Sequence, residues 1–498
     1  MEYFFFAKNL NMGAGSCTVT VISDAPSFTA RWCAESDYPE KLVVTDVRHR
    51  MKVTKNGTYL VKLTAGDEIT VESFSVCHLR PKRGFEGGDG SPENPYLIAN
   101  CAQFCGIHSD MSAHYRLIAD LDFAREMKHL SWVPIGKYSF WEPDLDPDIP
   151  LEEQDLGYRY NFGFTGTLDG SGHCISGLSC YYRDSLFAGI FGSCGNGAYI
   201  HDLVVRDCVF LTANKCVGVI AGRAQDAVIE RCVVLNASIV DPLSGGGVVG
   251  EPSDGLIIRA CQFSGSITAT TREPYPPFNI GGICGNGQFH LQDEADIVPV
   301  IEDCCVKADI TGALVSNGIA GGWPMVSRCF FTGRVEGKQY SAGVLSAVVD
   351  EIFDVKNCVC ANAEIFTAEN RPVSVWEPIW QDVKREYGIS PERVPGWSNH
   401  AGRILCRDHT LSQNEKRFIN YATASCQVAS QAGSASIVEG SQRDGITISE
   451  EAAHDPEFYK SLGWDFDTVW EMGADGFPQI KMKKRNLSEL EPQDISQQ

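Results

Sequence analysis

Carboxylates at alternate positions are the first residues in the sequence that could bind a cation. The segment WEPDLDPDIPLEEQD at 141–155 carries Asp144, Asp146 and Asp148. Calcium loops place oxygen ligands at such alternate positions, but this segment lacks the glycine and the distal glutamate of an EF-hand. We therefore predict no resident cofactor and keep Ca²⁺ as an optional ligand of these three aspartates. A solvated acidic loop is the alternative interpretation.

Aromatic side chains in irregular polar segments form a second group that could bind a ligand. They are Trp141, Tyr275, Trp376, Trp380 and Trp397. Such rings stack on sugars or anchor a protein partner, so the predicted partner is a glycan or a host or cell-surface protein. The alternative is that the tryptophans of residues 366–399 cover one end of a repetitive core.

Catalytic groups are harder to assign from the sequence. Six carboxylates lie on or beside recurring strands: Asp202, Asp207, Asp226, Glu230, Glu302 and Asp303. Glycoside hydrolases act through paired carboxylates, yet charged residues at these places are also expected on a solvated outer face. His173, between Gly172 and Cys174, is a candidate base. We assign no catalytic residue and keep a carbohydrate-active hydrolase as the alternative function.

Charge and composition exclude several classes of protein. The 498 residues include 42 lysines and arginines against 64 aspartates and glutamates, a formal net charge of −22. Nucleic acid and anionic polysaccharide are disfavoured as main partners, because binding them needs a surplus of cations. The apolar runs are too short for a bilayer span, so no membrane insertion is expected. The N-terminus shows no recognisable signal peptide.

The chain contains 20 cysteines but no CxxC pair, so a cysteine zinc site is not predicted. Reduced, buried thiols are the favoured interpretation, and disulfides are the alternative.

A short unit recurs along the chain, in which a strand of small residues is followed by a β-branched strand ending in a polar residue and cysteine. The small-residue strands lie at 187–192, 217–222, 246–250, 281–285, 318–322 and 342–346, and their partners at 203–208, 228–232, 256–261, 300–304, 325–329 and 354–358. Short repeated strands without helical periodicity predict a solenoid of coils stacked in parallel. The cysteines should form an inward-facing column, and the glycines should allow strands to approach closely.

Residues 1–86 differ from the rest, because their 11 basic and 10 acidic residues nearly balance. Runs of alternating apolar and polar residues at 17–22, 41–47, 59–63 and 68–71 predict strands. We therefore expect a small antiparallel β-module, similar to a β-sandwich, that serves anchoring or binding.

The segment FTGTLDGSGHCISGL at 164–178 is similar to the signature that opens the β-helix of GLUG-motif bacterial surface proteins. These proteins resemble filamentous-haemagglutinin-type adhesins and the non-catalytic helix domains of some bacterial immunoglobulin-A peptidases. Residues 87–104, 115–123 and 132–136 match the usual run-in, and residues 463–481 match the usual terminal segment. The resemblance covers most of the chain beyond residue 86, and in this family the histidine at the place of His173 is structural.

The resemblance implies an all-β fold, with a right-handed parallel β-helix over 87–481 and insertions at 139–161, 286–299 and 366–399. Residues 482–498 are expected to be a polar, flexible tail. The implied function is that of a non-enzymatic adhesin-like or receptor-binding protein, located outside the cell or on a particle such as a phage tail. An oligomer is compatible with this interpretation. Trp464 and Trp470 are expected to pack in a C-terminal cap.

Overall fold

The computed structural model describes residues 3–8, 17–23, 27–47, 49–55, 57–76, 84–127, 130–136, 163–181, 186–211, 216–270, 277–286, 298–322, 324–346, 354–368, 400–406, 419–430 and 433–482. These residues are mostly β-structure, and the largest sheets are long and parallel. The short α-helices are Cys101–Cys105, Phe123–Glu126, Glu450–Ala453 and Pro456–Ser461, and the 3₁₀ turns are Glu35–Asp37 and Gly106–Ser109. None of the described helices is long and apolar enough to span a membrane.

Two four-stranded sheets form the N-terminal region. The first contains, in spatial order, Leu130–Ser131, Tyr3–Lys8, Cys17–Ser23 and Arg50–Val53, and the second contains Val43–Val44, Thr29–Ala34, Gly57–Ala65 and Glu68–Val76. Every pair is antiparallel except that of Tyr3–Lys8 with Leu130–Ser131. A strand from beyond residue 86 therefore completes a sheet of this region.

The predicted strand at 41–47 is wrong over most of its length, because only Val43–Val44 pairs. Thr45 still donates its backbone N–H to the carbonyl of Ala30 (3.1 Å). Asp46 then accepts the backbone N–H of Arg50 at 2.9 Å. An aspartate that captures a later backbone N–H in this way starts a turn, and this turn ends the strand.

Four sheets build the repetitive part of the chain. The nine-stranded sheet comprises Tyr96–Ile98, His114–Leu117, Thr167–Asp169, Tyr199–His201, Val228–Glu230, Ile257–Arg259, Val300–Glu302, Met325–Ser327 and Val355–Lys356. The fifteen-stranded sheet comprises Leu121–Asp122, Cys174–Ser176, Ser179–Cys180, Val204–Arg206, Val209–Leu211, Val233–Val240, Gln262–Thr268, Cys305–Thr311, Phe330–Gly337, Val359–Cys360, Glu364–Thr367, Tyr421–Thr423, Gln427–Ser430, Gly433–Ser434 and Ile446–Ile448.

Two smaller sheets complete each coil. The seven-stranded sheet comprises Phe187–Ala188, Cys216–Gly218, Ser244–Gly246, Asn279–Gly281, Val315–Asn317, Tyr340–Ala342 and His400–Gly402. The three-stranded sheet comprises Phe191–Cys194, Ala221–Ala224 and Val249–Pro252, and single bridges extend it through Ile135, Phe164, Cys284, Ala320, Leu345 and Leu405.

The chain passes through these four sheets in turn, and each pass is one coil. From Tyr199–His201 it enters the fifteen-stranded sheet, then the seven-stranded and three-stranded sheets, and it returns to the nine-stranded sheet at Val228–Glu230. That strand pairs in parallel with Tyr199–His201, so consecutive coils stack directly. The predicted parallel stacking of coils is confirmed.

Glycines allow the seven-stranded and three-stranded sheets to approach backbone to backbone. A Cβ on Gly218 would lie 2.4 Å from the carbonyl oxygen of Ala221 and 2.5 Å from the backbone nitrogen of Gly250. No side chain fits at that distance, because both neighbours are backbone atoms. The small-residue strands of the repeat therefore serve close approach, as predicted.

The interior contains the predicted column of cysteines: Cys232, Cys261, Cys304, Cys329 and Cys358 are completely buried. Each thiol donates to the carbonyl two residues earlier, as Cys261 does to Arg259 at 3.3 Å. All 18 cysteines with described side chains are free thiols, so the disulfide alternative does not hold among them.

One cysteine of the repeat was aligned wrongly from the sequence. The pairing of Val204 with Val233 places Leu203, not Cys208, opposite Cys232. Cys208 follows the strand Val204–Arg206 and lies at the next corner, opposite Ala237. It is buried there, and burial raises the pKa of its thiol to about 12.

The C-terminal module, residues 449–482, packs on the outer face of the fifteen-stranded sheet. Its helices and the hairpin of Trp470–Met472 with Pro478–Ile480 bury a second apolar cluster against the coils. Trp470 and Tyr459 pack there with Cys305, Phe330 and Val359. Trp464 and Trp470 are packing residues as predicted, but they cover the side of the coils.

The predicted insertions fall mostly outside the described residues. The 139–161 insertion is entirely outside them, as are residues 483–498 of the predicted tail. The 366–399 boundary was set too early, because Phe366 and Thr367 still pair in the strand Glu364–Thr367.

Candidate functional site

All the residues predicted to bind a ligand or metal lie outside the described residues. These are Trp141, Tyr275, Trp376, Trp380 and Trp397, together with Asp144, Asp146 and Asp148. The described residues on either side nevertheless show where their segments join the coils.

The segments with Tyr275 and with Trp376 join the coils at the same corner. The first connects Gln262–Thr268 to Asn279–Gly281, and the second connects Glu364–Thr367 to His400–Gly402. Both thus run from the fifteen-stranded to the seven-stranded sheet. The segment with Trp141 joins elsewhere, because it lies between Ile135 and Phe164, which both bridge to the strand Phe191–Cys194.

The nine-stranded sheet carries a charged ladder on its outer face. We use this name for the residues at the strand ends, which follow one another in register: Arg116, Asp169, His201, Glu230, Arg259, Glu302, Ser327 and Lys356. Neighbouring strands lie about 4.8 Å apart, so each side chain contacts those of the adjacent coils. Opposite charges in adjacent coils stabilise the stack.

A second column stands beside the ladder, at the corner where each coil turns. It contains Asp202, Arg231, Ala260, Asp303, Arg328 and Asn357, all with φ between 48° and 55°. Aspartate and asparagine adopt this left-handed conformation more readily than other residues with a Cβ, whereas arginine and alanine do so at some cost. The corner therefore directs charged side chains back over the ladder.

Arginines of this second column neutralise most of the candidate carboxylates. Arg231 Nε lies 2.7 Å from Asp202 Oδ1, and the same guanidinium pairs with Glu230. Arg328 repeats the arrangement three coils further on, at 2.7 Å from Glu302 and 2.8 Å from Asp303. These carboxylates therefore hold neighbouring coils together.

Glu230 shows the electrostatic consequence. Partial burial alone would raise the pKa of its carboxyl group, but hydrogen bonds from Tyr199 and Arg259 and the charge of Arg231 lower that pKa below its ordinary value. The Tyr199 hydroxyl donates at 2.7 Å and Arg259 at 3.0 Å. A glycosidase acid needs the opposite shift, so Glu230 is not suited to protonate a leaving group.

One cluster of mixed donors lies where the ladder meets the second column, and it is formed by Asp169 and His201 of the ladder and Asp202 of the second column. His201 Nδ1 lies 2.9 Å from Asp202 Oδ2 and 3.8 Å from Asp169 Oδ1. The three candidate ligand atoms all lie within 4.8 Å of one another. The Tyr199 ring stacks on the His201 ring with centroids 4.2 Å apart. Among the described residues, this cluster is the group whose donors could hold a metal ion.

His173, the other candidate base, is buried among structural contacts. Its Nδ1 lies 3.3 Å from Asp120 Oδ1, which also accepts the backbone N–H of Cys174 at 2.8 Å. These contacts connect two coils and fix the tight turn at Gly172, whose φ is 74°. The geometry favours the structural interpretation of His173.

Sequence reasoning considered Asp202 among the candidate carboxylates but missed His201. The signal was present, because aligning Tyr199–His201 with Val228–Glu230 places His201 between Asp169 and Glu230. The repeat was instead aligned on its cysteines, and the wrong choice of Cys208 hid this register.

No protein-family model matches the sequence. An alignment over 200 residues, which covers 38% of the chain, is 30% identical to "Halomucin" of Haloquadratum walsbyi. Another match, 28% identical over 24% of the chain, is to a "Putative Gly-rich membrane protein" of Evansella cellulosilytica. The chain spans only 2% and 12% of the lengths of these two relatives.

Among solved structures, the crystal structure of a "putative immunoglobulin A1 protease" from Bacteroides ovatus aligns with 80% of this chain and 96% of that chain. The alignment has 15% sequence identity and a TM-score of 0.44.

Proposed function

We propose that the chain is a non-enzymatic, adhesin-like binding protein whose coils wind as a right-handed parallel β-helix of the GLUG-motif type. Segments that project from the coils would contact a glycan or a protein receptor. We place the protein outside the cell or on the surface of a particle.

The observation that carries this proposal is the shared corner of the segments bearing Tyr275 and the three tryptophans. The strands that precede them, Gln262–Thr268 and Glu364–Thr367, belong to the same sheet and are separated by Cys305–Thr311 and Phe330–Gly337. Three steps of about 4.8 Å place the two attachment points about 14 Å apart. The two segments therefore leave the coils about 14 Å apart, a distance that one ligand could span.

The charged ladder supports binding over hydrolysis. A glycosidase needs one carboxyl group that is protonated near neutral pH. Asp202, Glu230, Glu302 and Asp303 instead each pair with an arginine, and the contacts of Glu230 lower the pKa of its carboxyl group below the ordinary value. The coils thus act as a rigid support.

A glycan array probed with the full chain tests the proposal. We expect binding to a defined glycan class, and a loss of at least tenfold in affinity for Trp376→Ala or Trp380→Ala. Leu186→Ala is the matched control, because Leu186 is a 39% exposed apolar residue just before the seven-stranded sheet on another coil. Its affinity should be unchanged. Release of reducing sugar from the array ligands would contradict a non-enzymatic function.

A further inference from the structure

We propose that Asp169, His201 and Asp202 form a binding site for a divalent transition-metal ion of the Zn²⁺ class. The site lies on the outer face of the nine-stranded sheet, where two successive coils meet. It is independent of the proposed binding of glycans or receptors.

The spacing of the donor atoms fits such an ion. Two ligands bound to Zn²⁺ at about 2.1 Å in tetrahedral geometry lie about 3.4 Å from each other. The distances from His201 Nδ1 to Asp202 Oδ2 and to Asp169 Oδ1, 2.9 and 3.8 Å, lie on either side of this value. The two aspartate oxygens lie within 4.8 Å of each other, so binding of an ion would also draw these two carboxylates closer together.

Arginines orient both carboxylates toward the histidine. Arg116 Nε binds Asp169 Oδ2 at 2.9 Å, so Asp169 Oδ1 faces His201 and also accepts the Ser171 N–H at 2.7 Å. Arg231 Nε donates to Asp202 Oδ1 at 2.7 Å, and Arg231 Nη2 lies 3.2 Å from Asp202 Oδ2. Outer hydrogen bonds of this kind fix the direction of metal-binding carboxylates.

The donor set selects the class of ion. Ca²⁺ and Mg²⁺ take oxygen ligands, and the imidazole at the centre of this cluster disfavours both. One imidazole nitrogen with two carboxylate oxygens suits Zn²⁺ and leaves at least one coordination position for water.

Burial and charge set the expected strength of binding. The side chains of Asp169 and His201 are 14% and 15% exposed, so an ion can enter from solvent. Arg116 and Arg231 already balance the two aspartates, which leaves the charge of a bound cation uncompensated. We therefore expect reversible binding with a dissociation constant in the micromolar range.

Calorimetric titration of the full chain with ZnCl₂, in parallel with CaCl₂, tests this site. We expect saturable Zn²⁺ binding, no comparable Ca²⁺ binding at these residues, and at least a tenfold loss of Zn²⁺ affinity in His201→Gln and in Asp169→Asn. Glu302→Gln is the matched control, since Glu302 belongs to the same ladder and pairs with Arg328 but has no histidine neighbour in register. Its Zn²⁺ affinity should equal that of the wild type.

Crystals of the wild-type chain soaked in ZnCl₂ give a measurement that needs no variant. An anomalous peak within about 2.5 Å of His201 Nδ1 is expected. The proposal is overturned if the wild-type chain binds no Zn²⁺ at millimolar concentration, if folded His201→Gln binds it as the wild type does, or if the anomalous peaks lie only elsewhere.

Discussion

The two longest sheets have outer faces of opposite chemistry, although the same coils build both. On the nine-stranded sheet, the strand ends carry Glu230, Arg259 and Glu302, which reach solvent and pair across coils. On the fifteen-stranded sheet, the outward residues Cys305 and Phe330 are completely buried beneath the C-terminal module. The first face is held by charge and the second by apolar burial.

This difference shows what the repeat determines. Interior positions keep one residue type from coil to coil, because each meets the same neighbours above and below. The residue type at an outer position depends instead on what covers it. Water covers this face of the nine-stranded sheet, and the C-terminal module covers part of the fifteen-stranded sheet. The energetic consequences should differ as well, because buried apolar contacts contribute more to stability than partly exposed ion pairs.

The largest expected effect is that of removing a central aromatic residue of the apolar face. Trp470 is completely buried, and its indole N–H donates to Asp303 at 3.2 Å. Trp470→Ala should lower the free energy of unfolding by about 3–5 kcal/mol, measured by urea denaturation. Ile446→Ala is the control, because Ile446 lies on the outer face of the fifteen-stranded sheet, in register with Tyr421, but is 40% exposed. Equal losses in the two variants would contradict the proposed difference between covered and open positions.

On the charged face, Arg231 should matter most. Arg231→Ala leaves the buried Asp202 without its guanidinium partner, and we expect a loss of about 2 kcal/mol in stability. This is below the 3–5 kcal/mol of a fully buried pair, because the Arg231 side chain is 37% exposed. Arg206→Ala, which removes a 58% exposed arginine 3.6 Å from Asp207, should change stability by less than about 0.5 kcal/mol. If Arg231→Ala were as mild as this control, the ion pairs between the second column and the ladder would not stabilise the coils.

The smallest expected effect concerns the thiol of Cys305 on the covered face. Burial raises its pKa to about 12. A raised pKa in the folded state means that the stability is present below the unfolded pKa, near 9, and is lost as the pH rises from 9 to 12. At pH 10 this one thiol should cost about 1 kcal/mol, measurable as a smaller loss of stability in Cys305→Ala than in the wild type between pH 8 and pH 10. Alkylation of Cys305 in the native chain at pH 8, detected by mass spectrometry, would show instead that the module leaves this face open.

The sequence predicted the parts of the fold that repeat. The spacing of small residues and cysteines identified the parallel coils, because a residue that meets the same surroundings in each coil leaves a periodic signal. The alignment failed at Cys208, where a leucine occupies the column position and the cysteine lies at another corner. Both residues are small enough and apolar enough for either place, so composition could not distinguish them.

The charged ladder was not predictable to the same degree. Its arrangement depends on which residues of successive coils come into register, and the variable segments between coils obscure that register in the sequence. The residue type also did not show that Trp470 covers the side of the coils. A buried tryptophan looks the same in the sequence whether it covers the end of the stacked coils or one of their sides. The contact with Asp303, 167 residues away, is purely tertiary.

The register of the coils also has a bearing on how such a chain can change its length. Each boundary between coils presents the same set of hydrogen-bonding strands, so a whole turn could be duplicated or deleted without exposing a new kind of surface. Such a change would move the segments that project from one corner closer together or further apart in increments of about 4.8 Å. Duplication or deletion of whole coils would thus change the distance between two contact segments without changing the residues of either segment.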